Sequence, residues 1–425
     1  MRAKTKQTLK GVGSVGLASG IAGVAGLVLM VVMAKVLSPQ LNAEFMVFWS
    51  LLFWVFGSVG GGIQFETVRS VRTVHLRDEN SLVAFTEQDK VRVVPAGLVM
   101  SVGVVMIIFL SSLLWAPRVF GYNWLATSAI ICAAAIAFAG FSSAVGVLGG
   151  RGDWVRAALL MVADPLVRAV MVIAAVLALP GLLWVKAAAG LAALTWIVVV
   201  MTSKGYRSVL GARGDAGMRQ YVGQVGQAIV ANAANTALVV GFPTVLGLVV
   251  GYTRLQSAAG LLFAISMTRA PLMMPLNAFQ SMIVAHFVNS GGSARAIGRI
   301  VVAVLGLGVV VSVAIGLVGP PLLGLLRSEY HLGFVVVGCL TLASVFLTLV
   351  VLTGTLVLAN SRHTVYMIGW IVAIVVTVGM LWIPAPLTVA VIVALITGSS
   401  CGAVVHIVGL VRGRGNAIHH DAVSQ

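Results

Sequence analysis

Residues 11–36 read GVGSVGLASGIAGVAGLVLMVVMAKV, a run whose only charged side chain is Lys35, next to its end. A helix needs about 20 apolar residues to cross the hydrocarbon core of a bilayer, so this stretch predicts a membrane span. Arg2, Lys4, Lys6 and Lys10 precede it. A basic segment before an apolar run also opens a secretory leader, whose apolar region is about 7 to 15 residues long; this run is longer and reads as a retained helix. Working outward, the same pattern recurs at 42–66, 92–116, 124–148, 154–179, 182–202, 224–250, 255–285, 298–324, 332–359, 364–384 and 386–411. About twelve transmembrane helices, in an all-α polytopic membrane protein, are expected.

The basic residues fix an orientation. With the N-terminus inside, 20 of the 27 Lys and Arg residues are cytoplasmic, whereas Lys35, Arg118, Lys186, Arg254 and Arg327 fall outside and Arg168 and Arg269 within spans. This satisfies the positive-inside rule and predicts that both termini are cytoplasmic. The net charge of +16 is thereby spread over many small loops, which argues against a nucleic-acid partner. Trp115, Trp124, Trp184 and Trp382 flank the expected outer loops, where amphipathic rings settle. Cys132, Cys339 and Cys401 all lie within spans and suggest core positions rather than a disulfide framework or a metal cluster.

The connector after span six divides the chain into a first lobe, 1–205, a cytoplasmic linker, 206–222, and a second lobe, 223–425, which carries a short tail. Six spans per lobe imply parallel repeats with a substrate path at their interface. The short outer loops carry no Asp, Glu, His or Ser cluster for chemistry, so no enzyme and no cofactor are expected.

Ionisable residues at membrane depth are costly and usually face a cavity or one another. Arg269 lies near the middle of span eight, ahead of Pro271 and Pro275, and at about 100° per residue shares a face with Ser266, Asn277 and Gln280. It is either satisfied by carbonyls that the prolines free or a fixed cation for an anionic substrate. In span five Asp164 and Arg168 are four residues apart and can pair; alternatively Asp164 exchanges a proton or sodium ion while Arg168 binds substrate. Pro165 loosens that helix locally. Gln64, Glu66, Arg69 and Arg72 close span two, where Glu66 either pairs with Arg69 or forms a cavity entrance. Gln224, Gln227, Asn232 and Asn235 line one side of span seven, as interhelical glue or as a cavity lining. Asp164 and Glu66 are the intramembrane carboxylates expected from sequence. Glycines at 11, 13, 16, 20, 23 and 26 in span one, and at 57 and 60–62 in span two, are assigned to close packing or bending.

Together these features resemble the multidrug/oligosaccharidyl-lipid/polysaccharide (MOP) exporter superfamily, and within it the bacterial polysaccharide flippases of the Wzx type. The glycine-rich first span running into Ala34-Lys35-Val36-Leu37-Ser38-Pro39 is similar to the family's start, with Glu44-Phe45 standing where an aromatic-Gly pair is usual. Gly149-Gly150-Arg151-Gly152-Asp153, Arg168, Gly251-Tyr252 and the two prolines of span eight continue the likeness. The resemblance implies two six-helix lobes in a V, with spans one, two, seven and eight lining a cavity. It also implies movement of a polyprenyl-pyrophosphate-linked oligosaccharide between leaflets of a bacterial inner membrane, with Arg269 suited to the pyrophosphate. Membrane lipids, a polysaccharide polymerase and glycosyltransferases are the implied partners.

The competing expectation is an ion-coupled drug or metabolite antiporter of the multidrug and toxic compound extrusion (MATE) type, which would use acidic cavity residues. A scaffold for envelope synthesis is a third. A major-facilitator carrier is disfavoured because Gly-x-x-x-Asp-Arg is missing after span two. No Walker-type glycine loop is present, so drive is expected from a proton, a sodium ion or the membrane potential.

Overall fold

The computed structural model describes residues 2–80, 90–269, 272, 294–360 and 362–423, with side chains described at 13–76, 90–269, 272, 297–360 and 362–412. Nearly all of it is helix. In chain order these are α1 (Arg2–Val36), α2 (Pro39–Val55), α3 (Gly61–Asn80), α4 (Val93–Phe120), α5 (Trp124–Gly150), α6 (Trp154–Ala178), α7 (Leu182–Leu191), α8 (Thr195–Thr202), α9 (Lys204–Arg207), α10 (Met218–Val239), α11 (Phe242–Val250) and α12 (Tyr252–Gln256). There follow α13 (Ala259–Arg269), α14 (Ala294–Leu326), α15 (Phe334–Ala359), α16 (His363–Met380) and α17 (Leu387–Val423).

Among the described residues, nine helical stretches are long and apolar enough to cross a membrane, and one bent pair makes a tenth. The longest stretch, Val93–Gly150, is two crossings, because a 3-10 turn over Gly121–Asn123 interrupts it and α4 folds back along α5. Gly121 makes this reversal at φ 54°, a left-handed conformation that costs glycine little. The helix α13 coincides with the first part of the span expected at 255–285. Leu17, Leu114, Val302 and Leu325 are all more than half exposed. Outward-facing apolar side chains are what a bilayer solvates, and the chain is a multi-pass membrane protein.

Span seven is broken, contrary to the continuous helix expected at 224–250. The helices α10 and α11 meet at 76°, with Gly241 preceding α11 and a proline in its first turn. Pro243 has no N–H to give to the carbonyl of Val239, four residues back, so the ladder must stop there.

By contacts the chain divides into two compact units: residues 1–236 with 240–256, and 237–239 with 257–425. In the first unit α2 passes through a π-helical turn, Phe56–Gly60, into α3. A Cβ on Gly57 would lie 2.6 Å from Thr236 Cγ2, and one on Gly62 would lie 2.6 Å from the backbone nitrogen of Ile229. These glycines let α10 approach α2 and α3. The glycines of α1 behave differently: a Cβ at Gly13, Gly16, Gly20 or Gly26 would meet nothing within 4 Å. The packing role expected for these four is therefore corrected; among the described side chains of α1 the buried positions are Ala18, Ala25, Leu29, Met33 and Ala34.

The connector before α10 is docked. Residues 91–93 and 212–216 run antiparallel, with Val93 N donating to Ala212 O at 3.2 Å and Gly214 N to Val91 O at 2.9 Å. In the second unit α15, α16 and α17 pack along one another and α14 lies against α15.

Candidate functional site

Three clusters of ionisable side chains lie along the crossing made by α2 and α3: Glu44 and Glu66 belong to these helices, and the middle pair, Asp164 and Arg168 on α6, lies against Phe53 and Phe56. The distance from Glu44 to Glu66 is roughly 33 Å at 1.5 Å per residue, so the clusters occupy the two ends and the middle of the crossing.

At one end, Glu66 and Arg69 are joined through Nε–Oε contacts of 3.0 and 3.1 Å and an Nη2–Oε1 contact of 2.6 Å. Arg69 also donates to Asp215 at 3.0 and 3.2 Å and to Gln224 Oε1 at 3.1 Å. Two carboxylates thus hold one guanidinium, a charge-assisted arrangement. The Ser70 hydroxyl donates to Asp215 at 2.7 Å, and Thr67 bonds the Tyr221 hydroxyl at 2.8 Å. Gln64, one turn deeper, is half-buried and its carbonyl faces Gly146.

Burial alone would raise the Asp215 carboxyl, but hydrogen bonds from Ser70 and Arg69 outweigh it and hold the group below the usual carboxylate range. A depressed folded pKa stabilises the docked connector above the unfolded value of about 3.9 and loses that contribution as pH falls through the lower folded pKa. Amide-exchange protection at 212–216 should therefore be constant near neutrality and collapse only below about pH 4, whereas Asp215→Asn should reduce it at neutral pH.

At mid-crossing, Arg168 Nη2 meets both oxygens of Asp164 at 2.7 Å, and its Nη1 donates to the carbonyl of Ala189 on α7. The guanidinium lies over Phe56 and Phe53, 5.1 and 5.7 Å from the ring centroids. Both partners are buried, Arg168 to 1% exposure. Of the two arrangements open from sequence, this is the geometry of a neutralised pair.

A third cluster escapes the sequence reading. Lys186, expected among outer-loop charges, is 1% exposed; its Nζ donates to Glu44 Oε1 at 2.5 Å and to Thr127 Oγ1 at 3.0 Å. The Tyr252 hydroxyl donates to Glu44 Oε2 at 3.1 Å. Glu44 is thus a third buried carboxylate beside Asp164 and Glu66, correcting the expected two. Both residues lie inside the spans drawn from sequence, which is the signal that could have found them; their pairing across 142 positions is tertiary.

In the second unit Arg269 is buried and its Nη1 donates to the carbonyls of Leu238 and Val239 at 2.9 and 3.2 Å. These are carbonyls that the break in span seven releases. Ser266 returns its hydroxyl to Leu262 O. Asn277, Gln280, Pro271 and Pro275 lie outside the described residues. On α10, Asn232 donates to Ala228 O at 3.0 Å and sits opposite Gly61, Asn235 is half-buried and Gln227 is exposed. His406 is also buried, bonded to Thr353 and the Tyr366 carbonyl. Among the described residues no group of three or more His, Cys, Asp or Glu could hold a metal ion. Cys401 is exposed rather than in the core.

No family model matches the chain. Its fold matches an inward-facing multidrug resistance MATE family transporter of the MOP superfamily with a TM-score of 0.67 at 15% identity, covering 95% of this chain and 96% of that one. The outward-facing conformation of such a transporter matches at 0.61, 16% identity and 96% of each chain. A MOP superfamily transporter from Pyrococcus furiosus, reported to have a binding pocket of reverse polarity that suggests a different function, matches at 0.58, 16% identity and 96% of each chain. The chain therefore has the MATE-type fold of the MOP superfamily. By sequence it belongs to the family of the uncharacterized proteins Rv1510 and Rv3630 of Mycobacterium tuberculosis (strain ATCC 25618 / H37Rv). It is 32% identical to the first over 407 residues, 94% of this chain and 91% of the relative, and 32% identical to the second over 410 residues, 94% and 92%.

Proposed function

We propose that the chain is a flippase that moves a polyprenyl-pyrophosphate-linked oligosaccharide from the inner to the outer leaflet of a bacterial plasma membrane, by alternating access between two six-span lobes. The MOP-type fold supports transport. Because solved examples of that fold differ in pocket polarity, the charges of this chain have to choose the substrate class. One observation carries the choice: each described buried carboxylate, Glu44, Glu66 and Asp164, is already bonded to a base. A cationic drug would have to displace Lys186, Arg69 or Arg168 from its partner, at the cost of stranding a charge. An anionic headgroup needs only a cation fixed in place, and the α10 carbonyls fix Arg269.

The test is the leaflet location of radiolabelled lipid-linked saccharide in cells depleted of the protein, read by an externally added sugar-modifying probe. Cytoplasmic accumulation that wild type reverses and Arg269→Ala does not is the expected result, with Arg269→Lys retaining part of the activity because charge survives and fork geometry does not. The alanine variant should also lose about 1.5–3 kcal/mol per hydrogen bond to the charged group, since two carbonyls lose a donor; its folded fraction must be matched to wild type before rates are compared. An unchanged lipid distribution with altered drug sensitivity would move the assignment to an antiporter.

A further inference from the structure

We propose that a cavity among α2, α4, α10 and α11 holds the polyprenyl chain of the lipid-linked substrate at mid-membrane while its headgroup crosses. The proposal rests on the flippase reading and gives the lipid part of that substrate a place of its own.

The cavity has a volume of about 320 Å³, and its walls come from the first unit alone. Trp54 and Val55 of α2 face Ile108 of α4 across it, while Ala233 of α10 and Leu248 of α11 reach it from the two sides of the break in span seven. Among the described residues that line it none is charged. The neighbouring Phe53 and Phe56 turn instead toward Arg168, so the buried ion pair and the cavity lie on different sides of one crossing.

The few polar side chains in the walls already have partners. Trp54 Nε1 donates to Ala233 O at 3.0 Å, Ser58 Oγ to Trp54 O at 2.7 Å, and Thr244 Oγ1 to Val47 O at 3.1 Å. On α4, Ser111 Oγ donates to Ile108 O at 2.9 Å and Trp115 Nε1 to Ser111 Oγ at 3.3 Å. A space that offers water so few partners stays dry, and an unfilled apolar void of this size forfeits packing on every wall. Hydrocarbon is the occupant that matches it. A sugar, a pyrophosphate or a cationic drug would find no counterpart there.

Depth and access point to the substrate's own chain. Residues 51–59 lie roughly 10–22 Å along the separation of roughly 33 Å between Glu44 and Glu66, so the cavity sits near the bilayer centre. A chain anchored there is in reach of a headgroup in either leaflet. Ser111, which lines the cavity, is exposed, and the adjoining Leu110 and Leu114 are more than half exposed; the cavity therefore opens where α4 meets lipid. Val55, Val59, Val104, Ile108, Ile229 and Thr244 make its walls β-branched, and such side chains are stiff at χ1, so the shape is held open. A prenyl chain, whose double bonds already fix many of its torsions, loses less freedom on entering a preformed site than a saturated acyl chain does. That difference favours it over bulk phospholipid.

Photolabelling of the full chain in phosphatidylcholine vesicles tests this with a neutral polyprenol that carries a diazirine near mid-chain, read by peptide mass spectrometry. Label should appear at 104–115 and 229–248 and be displaced by unlabelled polyprenol, but not by the same amount of added phosphatidylcholine. Ala233→Phe, which fills the cavity from α10 and keeps the backbone acceptor of Trp54, should lower that label roughly tenfold or more. Val104→Phe fills it from α4 and should do the same, and it serves if Ala233→Phe fails to fold. Label that both filled variants retain overturns the proposal, as does equal labelling by a diazirine phosphatidylcholine that polyprenol does not displace, which would make the cavity a site for bulk lipid. If polyprenol labels the cavity as expected but depletion of the protein leaves lipid-linked saccharide in its usual leaflet, the flippase reading fails and the prenyl site stands.

Discussion

Asp164→Leu should destabilise the protein by about 3–5 kcal/mol, because it leaves the Arg168 cation buried without its counter-charge. Arg168→Met should cost less. A stranded carboxyl can take a proton and become neutral, whereas a guanidinium stays charged. With Arg168 at 1% exposure, water cannot replace the lost partner. The Asp164→Leu, Arg168→Met double variant should recover most of the loss or exceed wild type, since apolar replacement of a buried pair is often neutral or stabilising. Denaturant unfolding of the purified chain in detergent, read as a double-mutant cycle, measures all three. If the single variants are as stable as wild type, the pair is not the buried neutral unit that its geometry indicates, and a water-filled cavity at Asp164 becomes the better account.

Gly402→Val should strongly destabilise the second unit. A Cβ at Gly402 would fall 2.8 Å from both Ala373 Cβ and the carbonyl of Gly369, and 3.0 Å from Val350 Cγ2. One turn away, a Cβ at Gly398 would overlap the Thr377 hydroxyl and lie 2.6 Å from Ala373 O. The two glycines form a small-x-x-x-small seam that lets α17 approach α15 and α16 closely, and without a hydrophobic drive between helices such packing supplies much of the association energy in lipid. Backbone atoms cannot yield as a flexible side chain can, so the expected cost is at least the 1–3 kcal/mol typical of overpacking. Gly20→Ala on α1 is the control: its Cβ meets nothing within 4 Å, and its helix propensity should improve. Equal stability of the Gly402 and Gly20 variants would mean that the seam does not hold the unit together.

The functional consequence of the second-unit packing is indirect but concrete. Arg269 and the carbonyls it grips belong to the same compact unit as this seam, so loosening the unit should lower transport through misplaced geometry as well as through lost protein. Comparing the activity of Gly402→Val with its folded fraction separates the two.

The sequence by itself determined the membrane crossings, because apolar runs of about 20 residues and the charges between them are local properties that a bilayer reads directly. It also put Glu66 within reach of Arg69 and Asp164 within reach of Arg168, since three- and four-residue spacings share one helix face, but left open whether each pair closes. What needed the tertiary structure were the contacts between distant positions. Lys186 reads as an outer-loop charge until α2 is packed beside α7 and brings Glu44 to it. Asp215 reads as a linker residue until the connector is laid against residues 91–93 and α3. Glycine content marked α1 for close packing, but which side of a helix meets a neighbour depends on how the helices are arranged, and it is glycines of the π-helical turn after α2 and of α3, α4, α5, α14, α16 and α17 that turn toward a partner. The partner of Arg269 was likewise hidden: one of the two readings open from sequence gives it carbonyls freed by the prolines of its own span, whereas the carbonyls it takes come from the break at Pro243 in span seven, because a missing N–H creates an acceptor whose donor only the fold can supply.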